Sequence, residues 1–321
     1  MVEIKIPKYL NEKHSTYSFI TKSLFMIDNF LNEDKIILLD FKELEFIEGN
    51  LCAVLAAYID LLTKKGKVKY KNISPKIEKF FMENGFAKKI FNRDNEIHGK
   101  NSIDFQEFEE VSNDEEIGDY IYSQFLKNKG MPKMKKILQN RAKESIFELF
   151  ENARTHGKCD KIYTCGQYFP VRKKILFSVT NIGYTIPKNV MSKMKISNHA
   201  NCIEWAVQLG NSTKDNIPGG AGLSFLEAFI KNLGGKIQII SGNGLFEKEY
   251  VDNKARTTLT NIENSFPGTI INIKFYLTTD EVILANLDEE IDDIQFKMLR
   301  RFLNGEKNWY ERIFSKWISN F

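Results

Sequence analysis

Glu148 and Asn152 stand four residues apart in the stretch Glu148-Leu-Phe-Glu-Asn-Ala-Arg-Thr-His-Gly157, at the end of a long helical pattern. On a helix, residues at that spacing share one face. A carboxylate beside a carboxamide can divide the work of nucleotide chemistry. The carboxylate takes a proton from an attacking oxygen, and the amide oxygen ligates Mg²⁺. A bare Glu-x-x-x-Asn is more often a solvated helix face, so its meaning depends on what accompanies it.

Two further elements follow in order. Ser178-Val-Thr-Asn-Ile-Gly-Tyr-Thr-Ile-Pro187 continues from a strand pattern, and Gly219-Gly-Ala-Gly-Leu-Ser-Phe-Leu226 is a glycine loop that runs into a helix. Glycines ahead of a helix let backbone N–H groups approach phosphate oxygens, and the helix N-terminus adds partial positive charge. A glycine loop alone is usually a turn. Gly234-Gly235-Lys236 is no P-loop, because it lacks the Ser or Thr for Mg²⁺ and the glycine five residues earlier. Lys214, in the presumptive lid, is within reach of a γ-phosphate, although most loop lysines are merely solvated. Trp205 and Phe225 read as core, and His14, His98 and His199 form no ligand set.

Alternating strand and helix signals must position these residues, and they predict an α/β fold. Val2–Ile6 reads as an edge strand, Thr16–Leu31 as a helix and Lys35–Phe41 as a buried strand. Leu51–Thr63 reads as a helix, Lys67–Lys71 as a strand, and Ser74-Pro75 opens a helix that closes at Asn84-Gly85. Residues 93–117 show little periodicity, and 96–130 are expected to form an acidic linker. Beyond it come a helix at Ile117–Leu126, the long helix Lys133–Thr155, and strands at Lys161–Tyr168 and Lys174–Thr180. Asn189–Leu209 is mostly helical, Gly210–Ala221 is a loop and Leu223–Leu233 a helix. Lys236–Ser241 and Thr269–Leu277 are strands, and 279–321 form a helical tail.

The 321 residues suit about two domains, and 42% hydrophobic content with 25 Phe supplies real cores. A net charge of +4 does not point to nucleic acid or an anionic membrane. The charge is uneven: eight acidic residues lie between Asp104 and Asp119, and seven basic ones between Lys127 and Lys143. Cys52, Cys159, Cys165 and Cys202 make no Cys-x-x-Cys pair, which fits a reduced cytoplasm. No apolar run reaches the ~18 residues of a membrane span, so no membrane partner is expected.

The three glycine- and asparagine-bearing elements, in this order, resemble the GHKL family of gyrase, Hsp90, histidine kinases and the anti-sigma serine kinases, over residues 131–278. The Asn-Ala-x-x-His-Gly stretch is most similar to the serine kinases. The resemblance implies a Bergerat-type sandwich that binds ATP or ADP with Mg²⁺. By it, Glu148 is the general base and Asn152 the Mg²⁺ ligand. Asn181, Gly183 and Thr185 surround the adenine, and Gly219, Gly220, Ala221, Gly222 and Leu223 form the phosphate loop. The family's Asp-x-Gly-x-Gly is here Asn181-Ile-Gly183-Tyr-Thr185, so a neutral amide stands where a carboxylate accepts from the adenine amino group.

Residues 1–95 are expected to form one unit, of which residues 14–92 resemble a STAS domain, the fold of the anti-sigma-factor antagonists. At the turn where regulated members carry a phosphorylatable serine, this chain has Glu48-Gly49-Asn50. The resemblance implies a docking or homodimerisation surface for a protein partner, without a phospho-switch. Together the two halves imply signalling by an ATPase or a protein-kinase-like regulator, or else by a non-catalytic nucleotide-binding scaffold.

Overall fold

A computed structural model describes residues 1–30, 35–93, 98–109, 112, 114–126, 136–208, 210–211, 213, 221–251 and 254–277. The chain is α/β, with a parallel sheet in its first part and an antiparallel one in its second. The first part runs β1 (Val2–Lys5), β2 (Tyr9–Leu10), α1 (His14–Phe30), β3 (Lys35–Asp40), β4 (Phe46–Ile47), α2 (Leu51–Thr63), β5 (Gly66–Lys71), α3 (Pro75–Glu83) and α4 (Ala87–Phe91). β3 lies between β1 and β5, parallel to both. That central place is why its sequence is a near-continuous apolar run. At α3, Ser74 accepts from the Ile77 amide and Pro75 takes the first turn, the arrangement that its sequence signals.

The second part adds β6 (Ser102–Glu109), α5 (Asp114–Ile121), a π-helical turn at Tyr122–Leu126, α6 (Lys136–Thr155), β7 (Lys161–Phe169) and β8 (Lys174–Ile182). It continues with α7 (Ile186–Met191), α8 (His199–Val207), α9 (Ala221–Leu233), β9 (Gly235–Val251) and β10 (Lys254–Tyr276). The five strands form one antiparallel sheet in the order β6-β7-β8-β10-β9.

Three expectations need correction. The stretch 96–130 is no plain linker, because β6 pairs with β7 and α5 packs on α6. Its periodicity is hidden by a register shift between Ile103 and Gln106, which breaks the two-residue alternation of a strand. The helical pattern of 189–209 is divided, since Asn198 accepts from the Asn201 amide and starts α8 afresh. The last two strands are also much longer than expected. Lys236 Nζ lies 3.2 Å from Glu247 Oε2, although eleven residues of extended strand would span ~36 Å. β9 therefore doubles back, and Gly242, at φ +60, takes the left-handed conformation that the reversal requires. The tail 279–321 lies outside the described residues.

The antiparallel sheet has two covered faces. On one, Ile175, Phe177, Val179, Ile237, Ile239, Ile271, Ile273 and Phe275 meet apolar residues of α6, α8 and α9. On the other, Tyr163, Cys165, Ile240, Phe266 and Ile270 join the core of the N-terminal part. The link is α2, whose residues from Leu51 to Ile59 are all buried. A helix that is apolar all round must be covered on every side, and α2 touches β5 of one sheet and β6, β7 and β8 of the other. Its one charged residue, Asp60, accepts from Tyr163 Oη at 2.6 Å and pairs with Lys89 at 2.6 Å.

A polar network completes this contact. Tyr17 Oη donates to Gln238 Oε1 at 2.6 Å and accepts from Asn272 Nδ2 at 2.6 Å. Ser178 donates to Asn272 Oδ1, and Asn50 Nδ2 donates to Glu12 Oε1 at 2.8 Å and Ser178 Oγ at 3.1 Å. Lys236 bridges Glu12 and Glu247. Burial pushes the Tyr17 hydroxyl pKa well above its ordinary value, and neighbouring Glu12 adds to the shift. Burial also raises the Glu48 carboxyl, again helped by the charge of Glu12. All four cysteines are buried, and no disulfide joins them. Among the described residues, no helix is long and apolar enough to cross a membrane.

Candidate functional site

The end of α6 and the end of β8 meet through two glycines. Tyr184 N donates to Gly157 O at 2.6 Å, and Gly183 N donates to Pro267 O at 3.1 Å. A β-carbon on Gly183 would collide with the Gly157 carbonyl oxygen, so no side chain fits there. This crossing leaves a cleft of ≈ 790 Å³, counted out to its open mouth, between the antiparallel sheet and the helices α6, α7, α8 and α9. Its apolar floor includes Val179 and Ile271, and Leu149, Val190 and Leu223 form part of the walls.

The polar groups that line the cleft are Asn152, His156, Asn181, Tyr184, Asn189, Asn211, Thr213 and Thr269. No Asp, Glu, Lys or Arg lines it among the described residues. The described lining offers hydrogen-bonding groups and apolar contact. Asn189 Nδ2 donates to His156 O at 2.9 Å, which ties α7 to the end of α6. Arg154, on the same terminal turn, pairs with Asp114 at 2.6 Å and with Glu151, so α5 braces α6 from behind. Asn181 is 4% exposed, and its Nδ2 is buried with no hydrogen-bond partner.

The structure brings Asn152, Asn181 and Leu223 to one cleft from three distant segments. Other expected residues stand elsewhere. Gly183 lies behind the lining, against Gly157. Thr185 caps α7, its hydroxyl accepting from the Lys188 amide at 3.1 Å, and does not line the cleft. Glu148 is half-buried one turn before Asn152, and it too is absent from the lining. Ala221 and Gly222 open α9, whereas Gly219, Gly220 and Lys214 lie outside the described residues.

Trp205, expected in the core, is only partly buried and forms part of the cleft wall. Tyr184 lines the cleft as well, and Lys188 Nζ stands 3.6 Å from its ring centroid. Thr269 and Ile271 were not legible as site residues. They belong to a strand whose neighbours are set by its pairing with β8 and β9, and Thr269 stands opposite Asn181 of β8. Asn211 and Thr213 come from the loop after α8, which the sequence suggested as a lid without singling out either residue. No set of three or more His, Cys, Asp or Glu suited to a metal ion occurs among the described residues.

No protein-family model matches the chain. No curated protein matches it in sequence either.

Proposed function

We propose that the chain is a nucleotide-binding regulator of GHKL type, in which a STAS-like unit (1–95) is docked in cis on an ATP-binding unit (131–278). The observation that supports it most is the convergence of Asn152, Asn181 and Leu223 on one cleft. Trp205 offers an aromatic wall for a base, and Asn152 offers one neutral oxygen. A single protein ligand suits Mg²⁺, which keeps most of its shell as water and phosphate oxygens. Bound there, Mg²⁺ would neutralise phosphate charge in a cleft that has no cation of its own among the described residues.

Calorimetric titration with ATP, with and without Mg²⁺, tests this reading. Wild type should bind more tightly with Mg²⁺, and Asn152→Ala should abolish that difference while its melting temperature stays the same. Equal affinity with and without Mg²⁺ in wild type would remove the metal role.

A second reading, binding without turnover, is favoured by Glu148 standing outside the cleft lining. Phosphate release separates the two. Turnover in wild type that Glu148→Ala abolishes would restore Glu148 as general base; no release from either leaves a nucleotide-gated scaffold.

For the STAS-like unit, the turn Glu48-Gly49-Asn50 is packed against the antiparallel sheet, with Gly49 N donating to Gln167 Oε1 at 3.3 Å. A protein partner, or a second copy of the chain, would therefore dock on other surfaces of that unit.

A further inference from the structure

Asn181 is the deepest polar side chain of the cleft, and what surrounds it suits a planar heterocycle. It sits among Val179, Ile186, Leu223 and Ile271, in a lining without charged groups among the described residues. Phosphate has no counter-charge at that end, so a neutral ring is the better occupant. The side chain is 4% exposed and leaves a buried N–H unpaired. That Nδ2 lies 2.6 Å from where a β-carbon on Gly157 would stand, at the foot of the cleft.

An unpaired buried donor is costly, and a ligand acceptor would satisfy it. A carboxylate at this position would offer acceptors only. It would bind an exocyclic amino group and repel a ring carbonyl. An amide offers one acceptor and one donor whichever way it is turned. It can pair with the 6-amino edge of adenine. It can equally donate to the 6-carbonyl of guanine or hypoxanthine while accepting from the adjacent ring N–H.

We propose that this cleft does not select adenine: through Asn181 it takes 6-keto purine nucleotides alongside ATP. The inference rests on the nucleotide-binding reading of the same cleft and adds its base specificity. The repulsive element that excludes the wrong base is what the amide lacks.

The test is calorimetric affinity of the full chain for ATP, ITP and GTP in Mg²⁺, for wild type and Asn181→Asp. In wild type, the ATP and ITP affinities should differ by less than about tenfold, the factor that corresponds to ~1.4 kcal/mol. Asn181→Asp should widen the preference for ATP beyond that factor. A wild-type preference for ATP of tenfold or more overturns the inference, as does a ratio that the variant leaves unchanged. If the variant does not fold, the wild-type ratio decides alone. If wild type binds none of the three, the nucleotide reading itself fails, which is a separate result.

Discussion

The two faces of the antiparallel sheet use polar residues in opposite ways. On the face toward the N-terminal unit, Tyr17, Gln238, Asn272, Ser178 and Asn50 bond one another in a chain, and Lys236 bridges two carboxylates. On the face toward the helices, Asn181 lines the cleft and keeps a buried amide N–H unpaired. The same two strands serve both faces: Ser178 and Asn272 point one way, and Asn181, Thr269 and Ile271 line the cleft on the other. Burial alone does not mark a site, since the docked face also leaves Asn50 Oδ1 and Thr180 Oγ1 unpaired. The contrast lies in access. Asn50 is fully enclosed, while Asn181 borders a cleft that a ligand can fill.

If the docked face is cement, its loss should be expensive. Lys236→Ala should destabilise the chain most, by about 3 kcal/mol, because Glu12 and Glu247 would remain partly buried without their shared cation. Urea denaturation measures this, and a loss below ~1 kcal/mol would contradict a structural role for the network. Tyr17→Phe should cost about 1–2 kcal/mol, since it leaves one Asn272 N–H unpaired in the interior and Gln238 Oε1 with only its 3.1 Å bond from Asn272 Nδ2. Neither change should alter nucleotide affinity at the cleft, except through folding. An affinity loss in Tyr17→Phe at full folding would show that the two faces are coupled across β10.

The smallest effect concerns pH. Glu48 binds its proton more readily folded than unfolded, because burial and Glu12 raise its pKa above the ordinary 4.5. Between the unfolded and folded pKa values the native state holds more protons, so stability falls as pH rises. This contribution is fully present below 4.5 and is lost as pH climbs through the raised value. Glu48→Gln should flatten that slope. Melting temperatures across the acid range check it; an unchanged slope would mean that Glu48 is not the group responsible.

Local pattern was sufficient for much of the fold. The helix expected at Leu51–Thr63 forms over those residues, and the strand at 35–41 forms as β3. Both have strong apolar runs closed by clear stops. β6 was hidden because its bulge sends Phe105 against Phe86 of the N-terminal part and Phe108 against Phe150 of α6. A strand that serves two cores loses the alternation by which strands are read. At the site, Asn152 and Asn181 were legible as polar residues beside glycines. Thr185 caps α7 and Trp205 of α8 lines the cleft, places that only the packing of those helices sets.

Composition and periodicity by themselves determined the α/β class, most element positions and the short list of polar residues worth examining. Those properties arise from contacts within a few residues, which local pattern records. Only the tertiary structure decided that α2 is covered by two sheets, that the Glu48–Asn50 turn is sealed, and that Glu148 stands outside the cleft while Thr269 and Trp205 stand within it. These depend on strand order and on which face each pairing turns inward, and residues more than a hundred positions apart set them together.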